Sequence, residues 1–460
     1  MSSERIGADL HPLAPLDAGE IRAAAAAVRG AHPEIPDPRF SLITLHEPDK
    51  AAVRAGRETG REALVVVLDR RDGATYEAIV DTVGRGLLSW ERLDGVQPAV
   101  MVEEFMGLDQ VLLSDERVKA ALRAREIAPD ALVQVDPWTT GGWPIDGVDP
   151  ARRLLYSTLY VREHPLDNGY AHPIANLVVV VDLNRREVVE VIDLGAVPLA
   201  PEHGNYDPAT VGVLRDDLRK IEIGQPDGVS FTVHDDGEIS WGRWRLRASL
   251  QAVDGLVLHR IAYEDGGRIR PIVHRASLAE MVVPYGDPHE TFYFRNVFDA
   301  GDYHLGKLCG SLAHGCDCLG EIRYLDAVLA GDDGEPYTVA NAICIHEEDE
   351  GILWKHWDFR YTPHSETRRA RRLVVSCIAT VGNYEYGFYW SLHLDGTIAL
   401  EVKLTGIVQT RGMAAGERSR TGRLVAPQLD APNHQHLFCV RLDMEVDGPA
   451  NCVYERDIVG

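Results

Sequence analysis

The chain has 460 residues, 45% of them hydrophobic and 26% charged, the composition of a globular protein with room for two to four domains. Its net charge of −24 argues against a nucleic-acid partner, which needs clustered Lys and Arg, and no window approaches the roughly 18 apolar residues of a membrane span. The acidic field would favour approach of a cation such as a protonated amine, or would simply keep the protein soluble.

Seven cysteines are too few for a disulfide scaffold, and Met1 to Leu16 has no basic start leading into an apolar stretch. The expectation is a cytoplasmic protein.

In chain order, Asp17 to Arg29 reads as a helix, with Asp17 as N-cap and Glu20 three residues on. Ala63 to Asp69, a turn at Arg70 to Gly73, and Thr75 to Val83 then read as a β-hairpin. The pattern recurs. Ser114 to Glu126 reads as a helix capped by Ser114, and Leu177 to Asp182 with Val188 to Asp193 reads as a second Val-rich hairpin. Two small α+β domains of similar build are expected, over 1–90 and 91–197, although helix plus hairpin is common enough for the likeness to be coincidence.

Pro198 to Pro208 is rich in breakers and opens a linker placed at 198–214. Short alternating runs follow: Val229 to Val233, Ile239 to Leu246, Leu256 to Tyr263, Leu373 to Thr380, Gly387 to Leu394 and Ile398 to Thr405. Asp395-Gly396 is a hairpin signal between two of them. Residues 215–460 therefore read as a large antiparallel β-sandwich. Gly387 to Thr405 and His436 to Met444 would be central strands, and a sheet lacking further strands there would present unpaired edges.

Two segments of the sandwich carry chemistry. Thr380-Val-Gly-Asn383-Tyr384-Glu385-Tyr386 is followed by Gly387-Phe-Tyr-Trp390, and Pro432-Asn-His434-Gln-His436 lies about fifty residues on. On a strand, residues two apart share a face, so His434 and His436 present both imidazoles together, as a metal needs. Imidazole ligands suit copper. A lone tyrosine in a strand is ordinarily packing, and a lone His-x-His pair is weak evidence for metal.

Together, in this order, the two segments resemble the copper amine oxidases, in the bacterial form without an extra N-terminal domain. The resemblance runs from His11-Pro-Leu13 to the last residue. It implies oxidative deamination of a primary amine by dioxygen to aldehyde, ammonia and hydrogen peroxide, in a homodimer. It implies copper(II) at His434 and His436, and Tyr384 as the precursor of topaquinone. Such a cofactor answers a chemical need, since amine oxidation requires an electron sink that no ordinary side chain provides.

Further residues follow from the same resemblance. Asp299, in Val297-Phe-Asp299-Ala-Gly-Asp-Tyr303, matches the catalytic base. Tyr285, in Val282-Val-Pro-Tyr285-Gly-Asp-Pro288, matches the tyrosine that hydrogen-bonds the quinone oxyanion, and Asn383 the asparagine that holds the ring's tilt. Taken singly, Asp299 could be a capped turn and Tyr285 a packing residue. Val297 stands where many members carry a bulky channel gate, which suggests a wider entrance. Phe105 and Tyr170 match channel-lining aromatics.

Cys316-Asp-Cys318 has no second pair at zinc-finger spacing. The resemblance instead pairs Cys318 with Cys344 in a disulfide. Asp443 and Met444 match the start of a second, structural metal site for a divalent ion such as calcium; otherwise Asp443 is a solvated strand end.

The family's third copper histidine lies far beyond its His-x-His pair, and none follows His436 here. The sequence thus raises the expectation of a C-terminally truncated chain. The competing reading is a non-catalytic homologue that cannot form its quinone, and a third is a copper-binding sandwich without redox chemistry. The amine itself is not legible.

Overall fold

Asp17 accepts the amide of Glu20 at 2.8 Å while Glu20 accepts the amide of Asp17, and this capping box starts the helix Ala18–Ala31. In this computed structural model the described residues are 10–459, apart from 142–144, 146, 150, 213, 214 and 216. The ends of the expected first and third domains (1–9 and 460), and parts of the linker, lie outside them. The helix lays Ile21, Ala24, Ala25 and Val28 on a four-stranded antiparallel meander running from Arg39–His46 to Gly86–Leu93. A second meander, from Leu132–Thr139 to Glu187–Asp193, repeats the plan.

The helix expected from Ser114 to Glu126 is shorter and starts later. Ser114 closes a preceding helix, Leu108–Ser114, and Asp115 caps the next, Glu116–Arg123, by accepting the amide of Arg117 at 2.7 Å. Asp is as good a cap as Ser, and the chain changes direction between them.

Beyond these lie the two large antiparallel sheets of a sandwich. One has seven strands, ordered from Asn296–Phe298 through Arg268–Pro284, Gly255–Asp265 and Trp244–Gln251 to Phe231–Val233, with Leu437–Met444 also paired to Arg268–Pro284. The other runs in sequence order from Arg323–Ala330 to Ile398–Gly406. Leu246, Leu258 and Ile261 from the first share a core with Ile343, Ile345, Leu373 and Val375 from the second.

Three expectations change. Ile239 to Leu246 is a hairpin, Glu238–Trp241 and Trp244–Gln251, turned at Gly242 with φ +51°. Pro336–Asp358 is a 23-residue strand with no counterpart among the expected runs. Leu437–Met444 is not central: among the described residues it pairs on one side only, with Leu437, Val440 and Leu442 exposed.

Candidate active site

Tyr384 opens the strand Tyr384–His393 directly after the hairpin turn Gly382-Asn383. Gly382 has φ +59°, the left-handed conformation that this two-residue turn requires of its first residue. Asn383 donates its side-chain amide to the Ile407 carbonyl at 2.6 Å, and its own carbonyl accepts the Ile407 amide at 2.7 Å. The turn is therefore anchored on both sides.

The strand's alternation points Tyr384 and Tyr386 to the same face, where they meet the two histidines. The Tyr384 hydroxyl lies 2.8 Å from His434 Nε2, and the Tyr386 hydroxyl lies 2.9 Å from His436 Nδ1. His434 Nδ1 lies 2.9 Å from the Pro432 carbonyl, which fixes the proton on Nδ1 and leaves Nε2 as the acceptor. Tyr384 therefore donates to His434 while its oxygen accepts the Gln409 amide at 3.2 Å.

Tyr285 stacks on His434 with ring centroids 4.4 Å apart and shares the cavity wall with Tyr384. Backbone bonds hold the two segments together: Gly286 donates to Asn433 at 2.9 Å and Gln435 to Pro284 at 3.2 Å. Burial pushes the Tyr285 phenol well above its usual range, and the neighbouring Tyr384 adds to this.

A cavity of about 260 Å³ opens beside these rings, lined by Asn383, Tyr384, Tyr285 and Asp299, with Phe105 and Val297 also in its wall. Asp299 is 1% exposed, and neither carboxylate oxygen has a hydrogen-bond partner. Burial pushes its pKa well above the carboxylate range, and the charges of Glu280 and Asp302 push the same way.

Asp299 begins the short helix Asp299–Tyr303. Glu280 fixes that turn by accepting the amides of Ala300 at 2.9 Å and Gly301 at 3.0 Å. Asp302 accepts the Phe298 amide at 3.1 Å and the Thr139 hydroxyl at 2.8 Å.

Tyr170 is a correction. It is not among the residues that line the cavity but packs edge-on to Tyr160 at 5.0 Å, because its short 3-10 turn, Gly169–Ala171, is buried. The cavity wall there is made instead by Asp136, Pro137 and Trp138. Sequence reasoning passed over these and over Gln409 and Glu280. The only available signal was the alternation of Gln134, Asp136 and Trp138.

Cys318 and Cys344 are both free thiols in this structure. They nevertheless share one small cluster with Leu312, and the Cys344 Sγ lies 3.3 Å from His346 Nδ1. Asp443 sits 2.5 Å from the Lys50 ammonium, a cation that already balances the carboxylate, and Met444 packs on the core.

Among the described residues no group of three or more His, Cys, Asp or Glu side chains is arranged to hold a metal. The donors that His434 and His436 offer are imidazoles, with ring centroids 4.9 Å apart and the Tyr384 phenol alongside. Donors of this type suit copper(II) and supply two nitrogen ligands.

Comparison with known proteins gives the family. Three family models match in succession: "Copper amine oxidase, N2 domain" over residues 11–93, "N3 domain" over 103–210 and "enzyme domain" over 232–460. The chain is similar to a primary amine oxidase of Arthrobacter sp. (strain P1), 44% identical over 458 residues, covering 99% of this chain and 70% of that protein. It is 45% identical to the histamine oxidase of Arthrobacter globiformis, covering 98% of this chain and 66% of that protein. The crystal structure of a copper-containing benzylamine oxidase from Hansenula polymorpha superposes with a TM-score of 0.85 at 28% identity, covering 95% of this chain and 71% of that one. The chain belongs to the copper amine oxidases, a family of oxidoreductases whose cofactors are copper and topaquinone. Among the described residues no helix is long and apolar enough to cross a membrane.

Proposed function

We propose that this chain carries the site at which a primary amine, dioxygen and water are converted to aldehyde, ammonia and hydrogen peroxide. The observation that carries this is the contact of the Tyr384 hydroxyl with His434, at the edge of a cavity that also holds the buried, partnerless Asp299. His434 and His436 would hold copper, which with the quinone derived from Tyr384 supplies the electron sink and the reduction of dioxygen.

The protein's own part is proton handling and orientation. With the cavity empty, burial favours the neutral carboxyl of Asp299. A cationic amine entering beside it favours the carboxylate, which then takes the proton from the substrate's α-carbon. Tyr285 shares the cavity wall with Tyr384, where its hydroxyl would hydrogen-bond the ring oxygen, and its stack on His434 couples ring and ligand positions. Asn383, tied to Ile407, fixes the backbone from which the Tyr384 ring projects. Phe105 and Val297 give the amine's carbon chain an apolar wall that excludes water.

A second reading is supported by the donor count, two imidazoles and no third ligand among the described residues. In that reading the chain is a non-catalytic homologue, or binds copper without redox chemistry. The test is to supply copper(II) and air, present a panel of primary amines, and assay aldehyde and peroxide. Equal yields of both support the oxidase. Bound copper with neither product supports the alternative.

The same reading includes a homodimer in the cytoplasm, a Cys318–Cys344 disulfide on air oxidation, and a structural divalent ion such as calcium near Asp443 and Met444. The adjacency of the two thiols supports the disulfide, and a non-reducing peptide map lacking the crosslink would refute it. The Lys50–Asp443 pair weighs against the ion.

A further inference from the structure

A second, smaller cavity of about 20 Å³ lies beside the first and takes no part in the chemistry above. Trp138, in the wall of the first, donates its indole N–H to Thr158, in the wall of the second, at 3.1 Å. Residues 409–412 also join the two. The Gln409 amide donates to the Tyr384 hydroxyl at 3.2 Å, while Thr410, Arg411 and Gly412 line the small cavity.

Arg295 lines this small cavity and is 5% exposed. Its Nε and Nη1 have no hydrogen-bond partner, and among the described residues no carboxylate forms an ion pair with it. The rings of Phe292 and Trp138 lie against its guanidinium, with centroids 3.8 and 4.9 Å away. Its N–H donors point outward in the guanidinium plane, at the edge that stacked rings leave uncovered. Arg411 lines the cavity too, but its charge is met by Asp287 and Asp430. Asp136 feels Arg295 only at a distance, and burial pushes that carboxyl towards its neutral form. No Asp or Glu is among the described lining residues. A buried guanidinium without a counter-charge is costly, and a bound ion is one way of meeting it.

We propose that the small cavity binds one halide ion, such as chloride, as the counter-ion of Arg295. Its volume sets the class of ligand. Space for one water-sized body begins at about 10–15 Å³, so a cavity of about 20 Å³ suits a monoatomic anion and is too small for sulfate or phosphate. The lining agrees. Pro173, Ile174, Leu177 and Phe292 carry no side-chain donor, and the Thr410 hydroxyl is committed to the Tyr170 carbonyl. An oxyanion would bury oxygens that find no partner there. Occupancy would brace residues 410–412 and, through them, the Gln409 amide that holds the Tyr384 hydroxyl.

The test is direct binding, which needs no turnover and does not depend on oxidation of Tyr384. The purified full chain is dialysed into sodium gluconate, then titrated calorimetrically with sodium chloride and sodium bromide at constant ionic strength. Saturable uptake of one ion per chain is expected. Arg295→Gln, shown to be folded by circular dichroism, should weaken that uptake at least about tenfold. Crystals of the parent soaked in sodium bromide give a second measurement that needs no variant. Anomalous scattering should place one bromide in contact with the Arg295 guanidinium. No saturable uptake by the parent, an affinity unchanged in Arg295→Gln, or a water alone beside Arg295 in the soaked crystals would overturn the proposal.

Discussion

The Tyr384 hydroxyl lies 2.8 Å from Nε2 of His434, fifty residues away in sequence, and Nδ1 of the same imidazole lies 2.9 Å from the Pro432 carbonyl. One backbone carbonyl thus fixes the tautomer, and the tautomer leaves a lone pair aimed at the phenol. An imidazole prepared in this way suits a metal that must reach a tyrosine ring.

Tyr384→Phe should retain the fold, costing about 1 kcal/mol for the lost hydrogen bonds of a half-buried hydroxyl. It should abolish any reaction with phenylhydrazine while leaving copper binding measurable by calorimetry. Loss of copper binding as well would mean that the phenol is itself needed as a ligand.

His434→Ala should lower copper affinity by at least about tenfold. It should also destabilise the chain by about 1–3 kcal/mol, because it removes both the stack on Tyr285 and the acceptor of the Tyr384 proton. Equilibrium dialysis and thermal melts check the two effects separately. An unchanged affinity would show that His434 is not a ligand.

Asp299→Asn should cut kcat/KM by about 10²–10⁴ without blocking cofactor formation. Its effect on stability has a definite sign. The folded-state pKa is raised, so between the unfolded and folded pKa values the native state binds more protons, and stability falls as pH rises through that window. Asn carries no such penalty. The variant should therefore melt higher than the parent near neutral pH, and the difference should shrink towards pH 4. A variant that melts lower at neutral pH would mean that Asp299 gains a cationic partner in solution.

Part of this was legible beforehand because the tyrosines of the site lie on a period-two strand. Tyr384 and Tyr386 share a face by spacing alone, whereas His434 and His436 lie between the strands Leu429–Pro432 and Leu437–Met444, where a single bridge from His434 to Tyr285 helps place them. The capping box at Asp17 and Glu20 was equally local, and it formed as expected. What escaped were features set by tertiary structure. Pro336–Asp358 was missed because much of it is exposed and charged, so it shows no regular apolar alternation. Tyr170 was placed in the channel from its motif, yet burial of its turn keeps it out of the cavity wall. Glu280 acts on Asp299 through the amides of Ala300 and Gly301, a contact between segments twenty residues apart that no spacing announces.

Glu280→Gln tests that contact. It keeps an acceptor for one of the two amides, leaves an NH2 group facing the other, and removes a charge that holds the Asp299 pKa up. The acid limb of the pH–rate profile should move to lower pH, with Tm lowered by no more than a few degrees. A profile that does not move would show that the carboxylate of Glu280 is not felt at Asp299.

Val297→Tyr should narrow the cavity, since Val297 is part of its wall. KM for bulky arylalkylamines should rise several-fold while small alkylamines are spared, as steady-state peroxide assays would reveal. An unchanged preference would mean that the side chain at 297 does not control entry.

The most direct test of the central claim is chemical titration of Tyr384. Protein produced without metal is given copper(II) and air, followed by visible absorbance, titrated with phenylhydrazine and digested for mass spectrometry. The account predicts developing colour and a hydrazone on the peptide that contains Tyr384. Copper bound with Tyr384 still an unmodified tyrosine would contradict it.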